Sequence, residues 1–254
     1  IGGFVPSLLF GVAVGNVLLG VPFGFDDSLR ASYSGNFFGL LSPFALLAGL
    51  VSLAMLVMQG AAVIALRTDG VVAARARRFG KLAAGATALL FIAGGLACLL
   101  LVKGYVILDG AVPGGPSNPM NKTVDVITGA WLHNYAAYPW MLIAPALALL
   151  GSVAAWLGLN YRAGITALLG SSLAIFGIVT SVGLSMFPFL LPSSLDPRAS
   201  LTVWDASSSR LTLFVMLLAT AVFLPLILVY TAFVYRVMRG KVTLDSLSDN
   251  PNAY

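Results

Sequence analysis

Six apolar stretches, each long enough to cross a bilayer, dominate this chain. They run over about Ile1 to Phe23, Phe37 to Leu66, Leu82 to Val106, Tyr138 to Leu159, Ala163 to Leu191 and Leu211 to Val237. About 20 residues of apolar helix span the hydrocarbon core. Lipid offers no water to satisfy peptide groups, so a spanning segment must be a helix or part of a closed barrel. Barrel strands are segments of about ten residues with alternating polarity, whereas these runs are continuous and far longer. The sequence therefore predicts an all-α, polytopic membrane helical bundle with six transmembrane helices, residues 1–254 forming a single membrane-embedded domain. Composition agrees: 59% of residues are apolar and 9% charged, where soluble domains carry about 25% charged.

Orientation follows from Arg67 to Lys81 (RTDGVVAARARRFGK), which holds Arg67, Arg75, Arg77, Arg78 and Lys81 against Asp69. Cytoplasmic loops collect Lys and Arg, so 67–81 is predicted to be a basic cytoplasmic loop. Alternation then puts Arg162, Arg236, Arg239 and Lys241 on the same side, with Asp245 and Asp249. The far side receives Arg30, Lys103, Lys122, Arg198 and Arg210 against six Asp. Every loop obeys the bias, and the C-terminus is predicted to be cytoplasmic. The net charge of +5 belongs to these loops, so no nucleic-acid partner is expected. The chain opens on Ile1 in the middle of apolar sequence, which predicts a longer polypeptide ahead of it.

Local signals refine the spans. Gly11 and Gly15 are small residues four apart, the spacing that lets membrane helices approach closely, and Asn16 beside them is a candidate for a bond across an interface. Gln59, near the exit of the second span, is a candidate for helix–helix hydrogen bonding, and Met55 and Met58 are expected to pack. Adjacent Asp26 and Asp27 do not share a helix face and are expected in a solvated turn. The segment 104–137 reads as a long outer loop, turn-rich through Pro113, Gly114, Gly115, Pro116 and Pro119, with a formal sequon at Asn121–Thr123. Trp131, Tyr135, Tyr138 and Trp140 predict an interfacial aromatic belt. Pro145 and Pro225 predict kinks. Asp205 or a neighbouring serine is expected to cap the sixth helix.

The chemical inventory excludes more than it offers. There is one histidine, His133, in a loop, one cysteine, Cys98, and no glutamate. Haem iron takes axial ligands such as His or Met, and one loop histidine cannot supply a bis-His site inside the membrane. Proton relays at bilayer depth use Asp, Glu or His, and the spans hold none. No catalytic residue, metal ligand or haem ligand is expected on this chain. Any redox chemistry belongs to a partner chain or to sequence ahead of Ile1.

Several segments in order resemble one family. They are Gly15-Asn-Val-Leu-Leu-Gly-Val-Pro-Phe23, Asn36-Phe-Phe-Gly-Leu-Leu-Ser-Pro-Phe44, Leu50-Val-Ser-Leu-Ala-Met55, Gln59-Gly60, Ser117-Asn-Pro-Met-Asn-Lys122, Gly129-Ala-Trp131 and Met186-Phe-Pro-Phe189. The strongest is Ser200-Leu-Thr-Val-Trp-Asp-Ala-Ser-Ser-Ser209 running into Leu211-Thr-Leu213. Together they resemble subunit II of the bacterial cytochrome bd ubiquinol oxidases. The resemblance implies a haem-free subunit of a quinol:oxygen oxidoreductase in the bacterial inner membrane. Haems b and d would sit on a homologous subunit I, which oxidises quinol and reduces oxygen to water. It implies roles in assembly and haem shielding, with Asn16, Gln59, Trp204 and Asp205 as structural candidates. Some members hold a structural ubiquinone. Lipid and a small single-helix accessory subunit are further expected partners. The family's subunit has about nine helices, so the six spans correspond to helices four to nine. The acidic residues of the early helices that the family links to proton delivery have no counterpart here. On this basis 104–137 is a periplasmic loop. The alternatives are a transporter or permease with an inverted repeat, and an assembly scaffold with no part in turnover.

Overall fold

A computed structural model describes residues 2–110, 118–237 and 240. The apolar runs form helices α1 (Phe4–Leu19), α2 (Pro43–Arg67), α3 (Gly70–Leu100), α5 (Ile143–Asn160), α6 (Gly164–Met186) and α7 (Arg210–Val237), with a short α4 (His133–Ala137) ahead of α5. Five are long and apolar enough to cross a membrane, the α5 span being counted from Pro139. The exception is α1. Its 16 residues reach about 24 Å at 1.5 Å per residue, short of the roughly 30 Å hydrocarbon core. Gly20, at φ +87°, ends it where the expected span ran on to Phe23.

Two expected loops are ordered elements instead. Residues Gly70 to Lys81, read as loop because of their charge, are the first three turns of α3. Ala and Arg are strong helix formers, and that preference prevails over the charge. The segment 104–137 contains β3 (Lys103–Asp109) paired antiparallel with β4 (Thr123–Thr128), followed by a 3₁₀ turn and α4. Both strands carry β-branched residues in partial alternation, a pattern suited to a half-buried hairpin. Pro113 to Pro116, Arg239, Lys241, Asp245 and Asp249 lie outside the described residues. Pro145 is the third residue of α5, not an interior one. The first turn has no intrahelical acceptor for its N–H groups, so a proline there costs no helical bond. Pro225 does lie inside α7.

All three two-stranded hairpins lie at one end of the bundle: β3–β4, β1–β2 (Phe23–Phe25 with Ala31–Tyr33) and β5–β6 (Phe189–Leu191 with Leu201–Thr202). A bridge between Val21 and Ser193 links the first hairpin to the third, through Val21 N to Pro192 O at 2.9 Å and Ser194 N to Val21 O at 3.1 Å. Among the described residues, the other end has only the tight turns at 68–69 and 161–163 between helices. It carries Arg67, Arg75, Arg77, Arg78, Lys81 and Arg162.

Helix association rests on small side chains. Along the antiparallel pair α5 and α6, Gly151 faces Ala174, Gly158 faces Ala167, Gly170 faces Ala155 and Gly177 faces Ala148. A Cβ on any of these glycines would overlap the facing backbone. Gly11 and Gly15 of α1 lie against Ala48, Ser52 and Ala45 of α2, as their spacing predicts. Ser52 adds a hydrogen bond to Ser7 O at 2.7 Å across that pair. By contrast, none of the 28 residues of α7 is buried.

Gly177→Leu is expected to cost about 3 kcal/mol or more, because overpacking here strikes backbone that cannot move aside. Gly183→Ala, with open space around it, is expected to stay within about 1 kcal/mol of the parent. Thermal unfolding of the detergent-purified protein compares the two.

Candidate functional site

The hairpin end encloses the one aromatic core cluster among the described residues. Trp131 is 1% exposed and lies with Tyr105, Phe189, Leu18, Val102 and Met186. Its ring centroid is 5.7 Å from that of Tyr105 and 6.0 Å from that of Phe189. Trp131 Nε1 donates to Leu18 O at 3.0 Å, in the last turn of α1. Carbonyls in a helix's last turn lack intrahelical partners, so the indole closes α1 from outside. Trp131 is therefore core and not part of an interfacial belt, whereas Tyr138 and Trp140 are exposed.

The short α4 does the same for α6. Asn134 Nδ2 reaches Leu184 O at 2.9 Å and Phe187 O at 2.6 Å, and the Tyr135 hydroxyl donates to Ser181 O at 2.7 Å. Burial pushes the Tyr135 and Tyr105 hydroxyls above the ordinary tyrosine range. Between α4, the end of α6 and β3 opens a groove of about 570 Å³. Tyr105, His133, Asn134, Phe187, Phe189 and Trp204 are among its lining residues. The Trp204 ring meets Phe187 edge-on with centroids 6.3 Å apart.

Asp205, next to Trp204, turns inward. Its Oδ2 accepts from Lys122 Nζ at 2.7 Å and from Thr202 Oγ1 at 2.6 Å. Lys122 Nζ also donates to Pro119 O at 2.6 Å. The two side chains are 1% and 10% exposed. This buried ion pair joins the segment before α7 to the end of the β3–β4 connection. Asp205 is thus not the cap of α7. Ser209 is, accepting from Thr212 N at 3.3 Å. In the sequence Lys122 reads only as an outer charge. Its sole signal was its place in the segment Ser117 to Lys122.

The other candidates lie elsewhere. Asn16 Nδ2 donates to Leu40 O at 2.7 Å, tying α1 to the turn before α2. Gln59 Nε2 donates to Ser172 Oγ of α6 at 3.1 Å, while its Oε1 is buried with no partner among the described residues. Trp204 lines the groove and Asp205 stands behind it. Asn16 and Gln59 do not reach it. Among the described residues no three His, Cys, Asp or Glu side chains gather into a metal-binding group.

Comparison with known proteins gives one family. The sequence profile of cytochrome bd terminal oxidase subunit II matches residues 1–238. The chain is 42% identical over 253 residues to cytochrome bd-I ubiquinol oxidase subunit 2 of Escherichia coli, covering 100% of this chain and 67% of that one. It is 41% identical over 254 residues to a probable cytochrome oxidase subunit 2 of Haemophilus influenzae, covering 66% of that protein. The solved bd oxidase of Geobacillus thermodenitrificans contains a chain that superposes with a TM-score of 0.61 at 16% identity. The match covers 93% of this chain and 62% of that one, and the likeness is one of fold. The chain thus spans about two thirds of the length of the relatives it matches.

Removing one partner of a buried ion pair strands the other and costs about 3–5 kcal/mol. Lys122→Met and Asp205→Leu are each expected to lower stability by that amount. The double variant is expected to lose less than the sum of the two, as a double-mutant cycle on thermal unfolding would read.

Proposed function

Because the chain belongs to the family of subunit II of the cytochrome bd terminal oxidases, we propose that it is the haem-free membrane subunit of a quinol-oxidising terminal oxidase. The reaction, quinol oxidation coupled to reduction of oxygen to water, takes place on a haem-bearing subunit I. This chain contributes assembly, shielding of the haems and a quinone-binding groove, and is not catalytic by itself. The observation that carries the haem-free reading is how the potential ligands are used. Met58 is fully buried among Ala83, Ala84, Ala155 and Ala174, with no room for a porphyrin. His133 lines the groove with no second His and no Met beside it, so the paired axial set of a six-coordinate haem is missing. Neither Met58 nor His133 offers a b-type haem a pair of axial ligands, and no electron step is assigned to them.

What the chain's own residues do is structural. Gly and Ala contacts hold the helices, and the hairpin cap satisfies helix-end carbonyls that would otherwise face lipid. Trp204 and Asp205 shape the start of α7, the helix left open for contact with subunit I. Aromatic faces of Tyr105, Phe187, Phe189 and Trp204 suit the flat ring of a ubiquinone, with His133 at its edge as a hydrogen-bonding group. The basic end, carrying Arg67, Arg75, Arg77, Arg78, Lys81 and Arg162, faces the cytoplasm of a bacterial inner membrane by the positive-inside bias. The hairpin end faces the periplasm, and the chain's C-terminus returns to the cytoplasm. A small single-helix accessory subunit and lipid complete the assembly.

The purified complex is expected to show haem d absorption and to consume oxygen with quinol. Absence of both overturns the reading. Trp204→Ala and Asp205→Asn are expected to lower the haem content per complex severalfold, with turnover per remaining haem unchanged. Slow turnover at full haem content would assign them a working role instead. Separately, solvent extraction of the Trp204→Ala complex is expected to recover at most half the quinone of the parent.

A further inference from the structure

The geometry points to a binding site for the phosphate of an anionic phospholipid at the basic end of the bundle, held by Arg77 and Arg162. At 31 residues, α3 is about 46 Å long and exceeds the roughly 30 Å hydrocarbon core by several turns. The excess is its N-terminal stretch, where Arg75, Arg77, Arg78 and Lys81 lie. That stretch therefore reaches the depth of lipid headgroups.

The charges there are not scattered. Ala73, Gly80, Ala83 and Ala84 face the bundle. At 100° per residue, Arg77 and Lys81 fall on the flank beside that buried face. Lys81 Nζ donates to Asn160 Oδ1 at 3.1 Å, at the end of α5. Arg77 and Arg162 line one small cleft together with Gly158, Leu159 and Gly164. Its volume, about 10 Å³, has room for a water at most, so a phosphate would sit across its mouth. Neither guanidinium has a hydrogen bond or ion pair among the described residues. Asp69, the one acid described at this end, does not line the cleft.

Apolar surface decides between a lipid and a free anion. Tyr161, next to Arg162, and Ile165, next to Gly164, are exposed at the rim of the cleft. Two guanidiniums present paired donors to phosphate oxygens, and the apolar flank suits acyl chains, which inorganic phosphate lacks. Basic pockets between membrane helices bind anionic headgroups by this combination.

The test uses the purified complex, washed in detergent, with the retained phospholipids counted by class. The Arg77→Gln/Arg162→Gln variant is expected to keep at least threefold less phosphatidylglycerol or cardiolipin than the parent, with phosphatidylethanolamine unchanged. Arg67, Arg75, Arg78 and Lys81 remain to hold the orientation. Arg75→Gln, off the cleft, is expected to match the parent. Equal anionic lipid in parent and double variant overturns the site. Should the double variant fail to accumulate, the parent complex decides. Its melting temperature is expected to rise with added phosphatidylglycerol, at low salt more than at high salt, and not with phosphatidylcholine. No rise, or an equal rise with inorganic phosphate alone, overturns a lipid site.

Discussion

Inside a bilayer a helix gains nothing by hiding apolar side chains from its neighbour, because lipid tails are as apolar as leucine. Cohesion must come from contact distance, and this chain shortens that distance with glycine and alanine. The α5–α6 pair shows it most clearly. Glycines on each helix face alanines on the other along their whole length, at separations that leave no space for one further carbon. Gly11, Gly15 and Gly49 repeat the device between α1 and α2. Dispersion between close backbones is small per atom but adds over many atoms. The large side chains are pushed outward to meet lipid, as the many exposed Leu, Val, Ile and Phe residues attest.

The second demand on such a bundle is polar. Helix ends leave carbonyls without partners, and at membrane depth each is costly. The hairpin cap answers with side chains from segments distant in sequence. Trp131 serves the end of α1 and Asn134 the end of α6, while Tyr135 adds a second bond to the Ser181 carbonyl one turn further in. Lys122 and Asp205 carry the same logic into the cap itself. Each charge is shielded by the other and by a further oxygen, Pro119 O for Lys122 and Thr202 Oγ1 for Asp205. The result is a rigid lid of short strands over a bundle held by small residues. The groove opens where lid and bundle meet.

Much of this was legible in the sequence because lipid imposes a simple rule on long apolar runs. The positions of α2, α5, α6 and α7 follow from it, as does the α1–α2 contact through Gly11 and Gly15. The first turns of α3 read as a loop in the sequence because their charge masks the helix preference of Ala and Arg. The β3–β4 hairpin was missed although Thr123 to Thr128 alternates in polarity, since its length and glycines suggested an open loop. Other features were beyond reach. Lys122 and Asp205 are 83 positions apart, and no local pattern marks either as the other's partner. By sequence Trp131 reads as a belt residue because it clusters with Tyr135, Tyr138 and Trp140 at a membrane entry, and only the fold turns it inward. Asp205 was weighed as a helix cap, but its carboxylate is taken by Lys122, leaving the role to Ser209.

The solitary placing of α7 bears on what a cut in the chain would disturb. Every contact named above within α1–α6 and the lid uses residues up to Asp205, and α7 begins at Arg210 with no buried side chain. Among the described residues, α7 adds no buried side chain to the closure of α1–α6 and the lid. A protease that clips near Ser207 is therefore expected to leave the contacts named within α1–α6 and the lid whole.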